Sequence, residues 1–530
     1  MTLKLATNKF VHLATIIVVH LVIFLLTMPR NLSWGAYGNA SDGGELITAV
    51  NYLGVPHPPG YPIYMILLKI FTSIIPFGNL ALKSNLFSIL TSIAAICIVF
   101  LFTLKLAEKI YPEFSKSLKL TVCSIGSFVI GTSPLFWSQS IIAEVYSLNA
   151  LFVSLILLIS YKIMDFTNLK PYKMTLFFWG LIAGLSLGNH LTIIAIIVPL
   201  FCIFIKQFKL DLKKYTYIAY GTIAGLISYI YIPIRAAQNP PINWGGADTF
   251  DGFIWLITAA PYREYVLGVD QSLLFSRLLQ YTQILFIQFN PLGIFLCIIG
   301  GLAIYRKEPK LFFPLTFSTI ILSIYSLAYN SVDFEVLMLP ALMIISIGIS
   351  IGCLHILYLI KTTTLIEQRY LNILSMAIFS LAIIMILPVF SIYSNFKSLN
   401  QTQINPAISY IDEMIENIPP KSVILANTDK EVFSLWYAQH ILNPEHDIKV
   451  IALPLMQYDW YRSQIKLLFP NNIPEISEYD LSNNVYDIVE YNNSNGVVVY
   501  TTTYNAHWDP KLLTEIIINA KLYELILNPK

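Results

Sequence analysis

The chain has 530 residues, 56% of them hydrophobic and 12% charged, with a formal net charge of +2. That balance excludes a soluble protein of this length, and with no basic cluster of interleaved aromatics it excludes a nucleic-acid binder. All five cysteines (Cys97, Cys123, Cys202, Cys297, Cys353) fall inside hydrophobic runs without CxxC or histidine spacing, which argues against both a disulfide framework and a metal site.

Hydrophobic runs of about 18 or more residues recur through the first three quarters, as in a polytopic α-helical membrane protein. The first, Val11 to Met28, follows Lys4 and Lys9 and has no small-residue cleavage site, so it reads as a retained signal-anchor. A polar loop comes next. The stretch 61–77 is apolar but short and flanked by prolines, and reads as a juxtamembrane helix. Further spans are expected at 84–104, 118–135, 145–163, 174–190, 191–206, 216–233, 281–304, 311–329, 336–360 and 371–393, about eleven in all.

Lysine placement tests this assignment. With 61–77 outside the count, one set of loops carries Lys105, Lys109, Lys116 and Lys119; Lys162, Lys170 and Lys173; Lys206, Lys209, Lys213 and Lys214; Arg306, Lys307 and Lys310; and Lys361 and Arg369. Positive loops stay cytoplasmic, so the N-terminus is expected there. The opposite face receives 29–83, the turn near Glu144, the His190 end of the fifth span, the long 234–280 loop, a turn at 330–335, and everything after 394.

From Ser394 the composition changes, and residues 394–530 read as an extracytoplasmic soluble α/β domain following a transmembrane domain over 1–393. Helices are expected at 404–417, 429–442, 458–468 and 510–526, with strands at 422–428, 448–454 and 496–501 in a mostly parallel sheet. No Gly-rich phosphate loop follows a strand. Trp436, Tyr437, Trp460 and Tyr461 read as core, and an acceptor-recognition or lid role rests on no single residue.

Polar residues fit for chemistry collect on the non-cytoplasmic face. In Asp42-Gly-Gly-Glu45 the carboxylates lie three apart, sharing a helix face, and the pattern also fits a capping box with Asp42 as N-cap. His57 precedes Pro58-Pro59-Gly60, and reads equally as a turn former or a ligand. Arg235, in a Pro-Ile-Arg run before Asn239-Pro-Pro-Ile-Asn243-Trp244, stands at a span end, where an anion-binding and an interfacial role are both open. Arg263 is a second cation, with Glu264 beside it. Glu144, Tyr146, Asn189, His190, Asp333 and Glu335 complete the set, with helix capping the competing reading for Glu144, Asp333 and Glu335.

Together these segments resemble the polytopic protein O-mannosyltransferase-like family on the GT-C glycosyltransferase fold. The matching pieces are Asp42-Gly-Gly-Glu45, His57-Pro-Pro-Gly60, Ala143-Glu-Val-Tyr146, Gly188-Asn-His190, Pro233-Ile-Arg235 with Asn239 to Trp244, and Asp333-Phe-Glu335. Classical relatives have adjacent acids in this loop, whereas Gly43 and Gly44 intervene here, so the resemblance leaves open which carboxylate is the base.

The resemblance implies an inverting transfer of a monosaccharide, mannose, from a polyprenyl- or dolichyl-phosphate donor to Ser/Thr hydroxyls of exported proteins. Asp42 would be the base with Glu45 its neighbour, while Arg235 and Arg263 would hold the departing phosphate. His57, Glu144, Tyr146, Asn189, His190, Asn243, Trp244, Asp333 and Glu335 would line the pocket. Such chemistry requires no metal and no cofactor beyond the lipid-linked sugar. A same-fold transferase acting on glycolipid or polysaccharide fits too, and a transporter or flippase is the competing class, although no repeat or mid-span charge favours it.

Overall fold

The computed structural model describes residues 8–38, 40–165, 172–209, 211–363, 385–403, 405–476, 478–503, 512–517 and 522–527. In chain order the membrane part comprises α1 (Lys9–Thr27), α2 (Gly43–Tyr52), α3 (Pro62–Ile74), α4 (Leu80–Ile110), α5 (Lys116–Gly131) and α6 (Pro134–Ser140). It continues with α7 (Tyr146–Met164), α8 (Tyr172–Leu187), α9 (Leu191–Phe208), α10 (Leu212–Ala236), α11 (Phe250–Ile257), α12 (Gln271–Lys307), α13 (Pro309–Ala328) and α14 (Phe334–Thr362).

Among the described residues eight helices are long and apolar enough to cross a membrane, or nine if α5 and α6 count as one broken span. Two of the expected eleven remain. One is α8, apolar but shorter than a full span, and the other, 371–393, lies largely outside the described residues. The straight span expected at 118–135 bends by 70° between α5 and α6. Pro134 is the cause: it lacks an N–H and pushes Ser133 out of the helical region, to φ −63° and ψ 133°.

Small residues let the apolar helices approach closely. Gly180 and Gly184 of α8 face Gly221 and Gly225 of α10, and a Cβ at any of them would collide with the opposite backbone. The lysine-bearing turns meet at one end of the bundle. There Lys109 lies 3.3 Å from Asp165 and 3.1 Å from Glu308, and Lys361 lies over the Phe114 ring.

The C-terminal region contains α15 (Pro406–Asn417), β1 (Val423–Ala426), α16 (Asp429–Tyr437), β2 (Lys449–Ala452), α17 (Asp459–Leu468), α18 (Leu481–Ser494), β3 (Val499–Thr501), β4 (Leu512–Ile517) and β5 (Leu522–Leu527). The sheet order is β2-β1-β3-β5-β4; β1 pairs parallel with β2 and β3, whereas β5 pairs antiparallel with β3 and β4. The helix expected at 510–526 is therefore replaced by a pair of strands. Its Ile, Leu, Thr and Tyr residues suit a strand as well as a helix, and the open edge of β3 supplies backbone partners that an isolated helix lacks. Helix α18, not expected from the sequence, covers the sheet through buried Val485, Ile488 and Val489. Trp436, Tyr437 and Tyr461 are buried as read, and Trp460 stacks on Tyr458 with ring centroids 5.8 Å apart.

This region is fastened to the loop after α1. Trp34 Nε1 donates to Ser434 Oγ at 2.9 Å, the Tyr437 hydroxyl donates to Asn31 Oδ1 at 2.7 Å, and Asn405 Nδ2 donates to the Leu32 carbonyl at 2.6 Å. One apolar core runs from Leu46 and Val50 of α2 through Phe433 and Trp436 to the sheet.

Candidate active site

The cleft is built around the start of α2. Asp42 stands at its N-cap position but in helical geometry, φ −70° and ψ −19°, and its side chain makes no capping bond. Glu45 likewise does not reach back. Its carboxylate accepts from the His57 backbone N–H at 3.1 Å and also pairs with His57 Nδ1. The capping-box pattern is thus present in sequence and unrealised in structure, because the turn at His57-Pro-Pro-Gly offers Glu45 a nearer donor. Gly60 makes that turn possible, with φ +86° and the Leu256 side chain 2.9 Å from where a Cβ would sit.

The two acids are differentiated by burial. The Glu45 side chain is fully buried, whereas that of Asp42 is 30% exposed and accepts from Ser41 Oγ at 3.1 Å. His57 stands between them. Its Nε2 lies 2.9 Å from the Tyr61 hydroxyl and 3.6 Å from Asp42 Oδ2. Burial opposes a charge on the imidazole, but Glu45 and Asp42 outweigh it and push the His57 pKa up to about 9. The Asp42 carboxyl is raised by desolvation, opposed by the charge on His57 and reinforced by Asp333 and Glu45.

Aromatic rings wall the imidazole. Trp244, Tyr262 and Phe433 have ring centroids 6.1, 6.2 and 6.2 Å away, with Phe433 stacked at 13°. Trp244 is brought in by a backbone bridge: Val55 N–H donates to the Ile242 carbonyl at 2.8 Å, and Trp244 N–H to the Val55 carbonyl at 3.0 Å. Asn243 is buried and donates to the Ala236 carbonyl at 3.1 Å, holding that loop's shape.

Glu144 is buried, and one of its carboxylate oxygens has no hydrogen-bond partner among the described residues. Burial, then Asp42 and Asp333, hold it well above the usual carboxylate range. Asn189 props the Glu144 turn by donating to the Val145 carbonyl at 3.2 Å. His190 binds Thr192 Oγ1 at 2.8 Å and lies 5.4 Å from the Tyr146 ring; burial, aided by the charge on His57, lowers its pKa to about 4. Asp333 bonds Ser331 and acts electrostatically on Asp42 and Glu144. Glu335 acts electrostatically on Tyr37.

The expected meeting of Asp42 with Arg235 does not occur. Arg235 donates to the carbonyls of Leu53 and Tyr52, both at 2.8 Å, and pairs with Gln238 Oε1. It thereby caps the C-terminal end of α2, about 15 Å along the helix from Asp42 at 1.5 Å per residue. The physical reason is that α2 ends on unsatisfied carbonyls: Lys69 Nζ takes the Asn51 carbonyl at 2.7 Å, and the guanidinium reaches the next two. Arg263 follows Tyr262, whose ring faces His57, and uses one nitrogen on Thr258 Oγ1 at 2.8 Å.

Sequence reading missed four contributors. Tyr61 and Tyr262 line the imidazole, and Asp429, at the start of α16, exchanges electrostatic influence with His57, Asp42 and Asp333. Arg277, from α12, donates to the Ser331 carbonyl at 3.2 Å and lies 4.1 Å over the Phe334 ring, flanking the Asp333 turn. Their common signal was tertiary. Asp429 sits some 385 residues from Asp42 in an otherwise ordinary capping sequence. Among the described residues no three His, Cys, Asp or Glu side chains are placed to hold a metal ion.

Two family models match this chain. Residues 42–213 match the protein O-mannosyl-transferase TMEM260 N-terminal domain, and residues 407–518 match TMEM260-associated domain 2. The chain is 25% identical over 469 residues to the protein O-mannosyl-transferase TMEM260 of Mus musculus, covering 83% of this chain and 62% of the relative. It is 25% identical over 506 residues to the tmem260 protein of Dictyostelium discoideum, covering 85% of this chain and 59% of that one. It therefore spans about three fifths of the length of the curated relatives it matches.

Among solved structures, ArnT from Cupriavidus metallidurans in the apo state superposes with a TM-score of 0.59 at 12% identity, covering 97% of both chains. The Archaeoglobus fulgidus oligosaccharyltransferase superposes with a TM-score of 0.53 at 14% identity, covering 93% of this chain and 70% of that one. These neighbours place the architecture in the GT-C class. With both matched segments, the acidic cleft and this architecture, the chain belongs to the TMEM260 family of integral membrane proteins on the GT-C glycosyltransferase fold.

Proposed function

We propose that this protein is an inverting glycosyltransferase that moves mannose from a polyprenyl- or dolichyl-phosphate donor to Ser/Thr hydroxyls of exported proteins. Its cleft then faces away from the cytoplasm, with the N-terminus cytoplasmic. The observation that carries the reading is Asp42: a carboxylate in an open cleft, without a capping bond, beside a histidine held by a second, buried acid. The relatives named O-mannosyl-transferases support the reaction class, and ArnT solved with undecaprenyl phosphate supports a lipid-phosphate donor.

In this mechanism Asp42 takes the acceptor hydroxyl proton as its oxygen attacks the sugar C1 from the face opposite the phosphate. The C1–O bond to phosphate breaks, and the lipid phosphate leaves with the electron pair, needing no proton. A raised carboxyl is a stronger base, which suits Asp42. Glu45 holds His57, and His57 with Tyr61 sets the Asp42 side chain. Glu144, Tyr146, Asn189, His190, Asn243, Trp244 and Asp333 shape the pocket, with Glu335 at its rim. Arg263, with Arg277 behind the Asp333 turn, is the cation for the departing phosphate, and Arg235 fixes α2.

Transfer of labelled mannose from a mannosyl-phospho-polyprenol to a serine peptide tests this, with Asp42→Asn as the variant. Loss of turnover in a protein that keeps its thermal midpoint is expected; full turnover in Asp42→Asn overturns the assignment.

A further inference from the structure

Helix α16 brings more than a packing face to the cleft. Asp429 and Phe433 are four residues apart and so share one side of α16. Phe433 stacks on His57, and a Cβ at Gly44 would collide with the Phe433 carbonyl oxygen, so α16 and α2 are in direct backbone contact. Asp429 therefore lies one helical turn from the residue that stacks on His57.

The start of α16 is rigidly set without Asp429. Thr428 Oγ1 accepts from the Glu431 N–H at 3.4 Å, and Glu431 accepts from the Thr428 N–H and the Thr502 hydroxyl, each at 3.0 Å. Among the described residues the exposed Asp429 carboxylate takes part in no hydrogen bond or ion pair. Asp42, from the first loop, and Asp333, from the turn before α14, both act electrostatically on Asp429 of the C-terminal region. Among the described residues one oxygen of the buried Glu144 has no hydrogen-bond partner. The site keeps spare acceptors of hydrogen bonds, the Asp429 carboxylate and one Glu144 oxygen, among the described residues.

Building on the mannosyltransferase reading, we propose that Asp429 is a specificity-determining residue, which binds a lysine or arginine flanking the target serine or threonine. The C-terminal region then takes part in choosing the acceptor, and the preferred acceptor is a locally basic polypeptide segment. An exposed carboxylate–ammonium pair adds a few-fold to binding and nothing to the bond-making step.

The test uses the full chain, a mannosyl-phospho-dolichol donor, and two peptides that differ only in lysine or glutamate beside one serine. The wild type is expected to show the lower KM for the lysine peptide. Asp429→Asn is expected to raise that KM about two- to five-fold with little change in kcat, and Asp429→Glu to restore the preference. An unchanged peptide ratio in Asp429→Asn overturns the proposal, as does an equal fall in kcat on both peptides. If the wild type transfers mannose to neither peptide, the mannosyltransferase reading itself fails, a result distinct from a lost preference.

Discussion

The two ends of α2 use charge in opposite ways. At its N-terminal end Asp42 has one hydroxyl partner and an open face; at its C-terminal end Arg235 has committed its guanidinium to two carbonyls and an amide. Both are charged, both stand at an end of the same ten-residue helix (Arg235 reaching it from α10), and both looked chemical in sequence. The difference teaches that unused hydrogen-bonding capacity, rather than charge, marks the group left for a substrate.

The contrast is sharpest in activity. Asp42→Asn should lower turnover by about 10²- to 10⁴-fold, the contribution of a positioned general base, with the thermal midpoint unmoved because no capping bond is lost. Arg235→Ala should do the reverse, and a comparable loss of turnover in folded Arg235→Ala would break the comparison.

Glu45→Ala comes next. It strips the partner from a buried charged imidazole, and about 3–5 kcal/mol of stability should go with it, read by denaturant unfolding. Gly44→Ala forces a methyl into the Phe433 carbonyl and should cost about 1–3 kcal/mol, loosening the contact between α2 and α16. Faster proteolysis after the last membrane helix would report it. Arg235→Ala, losing charged hydrogen bonds in a half-exposed setting, should cost about 1–2 kcal/mol while kcat stays close to wild type.

The smallest effect is in pH. The His57 pKa is raised from its usual 6.5 to about 9 in the fold, so its stabilising charge is fully present below about pH 6.5 and is lost as pH rises through about 9. Thermal midpoints between those values should fall with pH in the wild type. In Glu45→Gln, which removes the largest raising influence on His57, the fall should be smaller and end at lower pH.

Much of this site was legible because its signals are local. Asp42, Glu45 and His57 lie within sixteen residues, and the alternation of lysine-rich with lysine-poor turns reports helix count without contacts. Where a residue's use depended on what lay across the cleft, local pattern was not enough. A capping box was readable at Asp42-Gly-Gly-Glu45, yet the His57 turn captured Glu45. A helix was readable at 510–526, yet the edge of β3 drew the segments into strands.

By itself the sequence determined a membrane-embedded helical bundle, an acidic first loop and a C-terminal α/β region, because hydrophobic run length and short-range periodicity are properties of the chain alone. Only the tertiary structure decided that Arg235 closes a helix end, that His57 bridges two unlike acids, and that Asp429 arrives from the far end of the chain. Those outcomes depend on which unsatisfied donor or acceptor lies nearest after folding, and distance in space is not written in distance along the sequence.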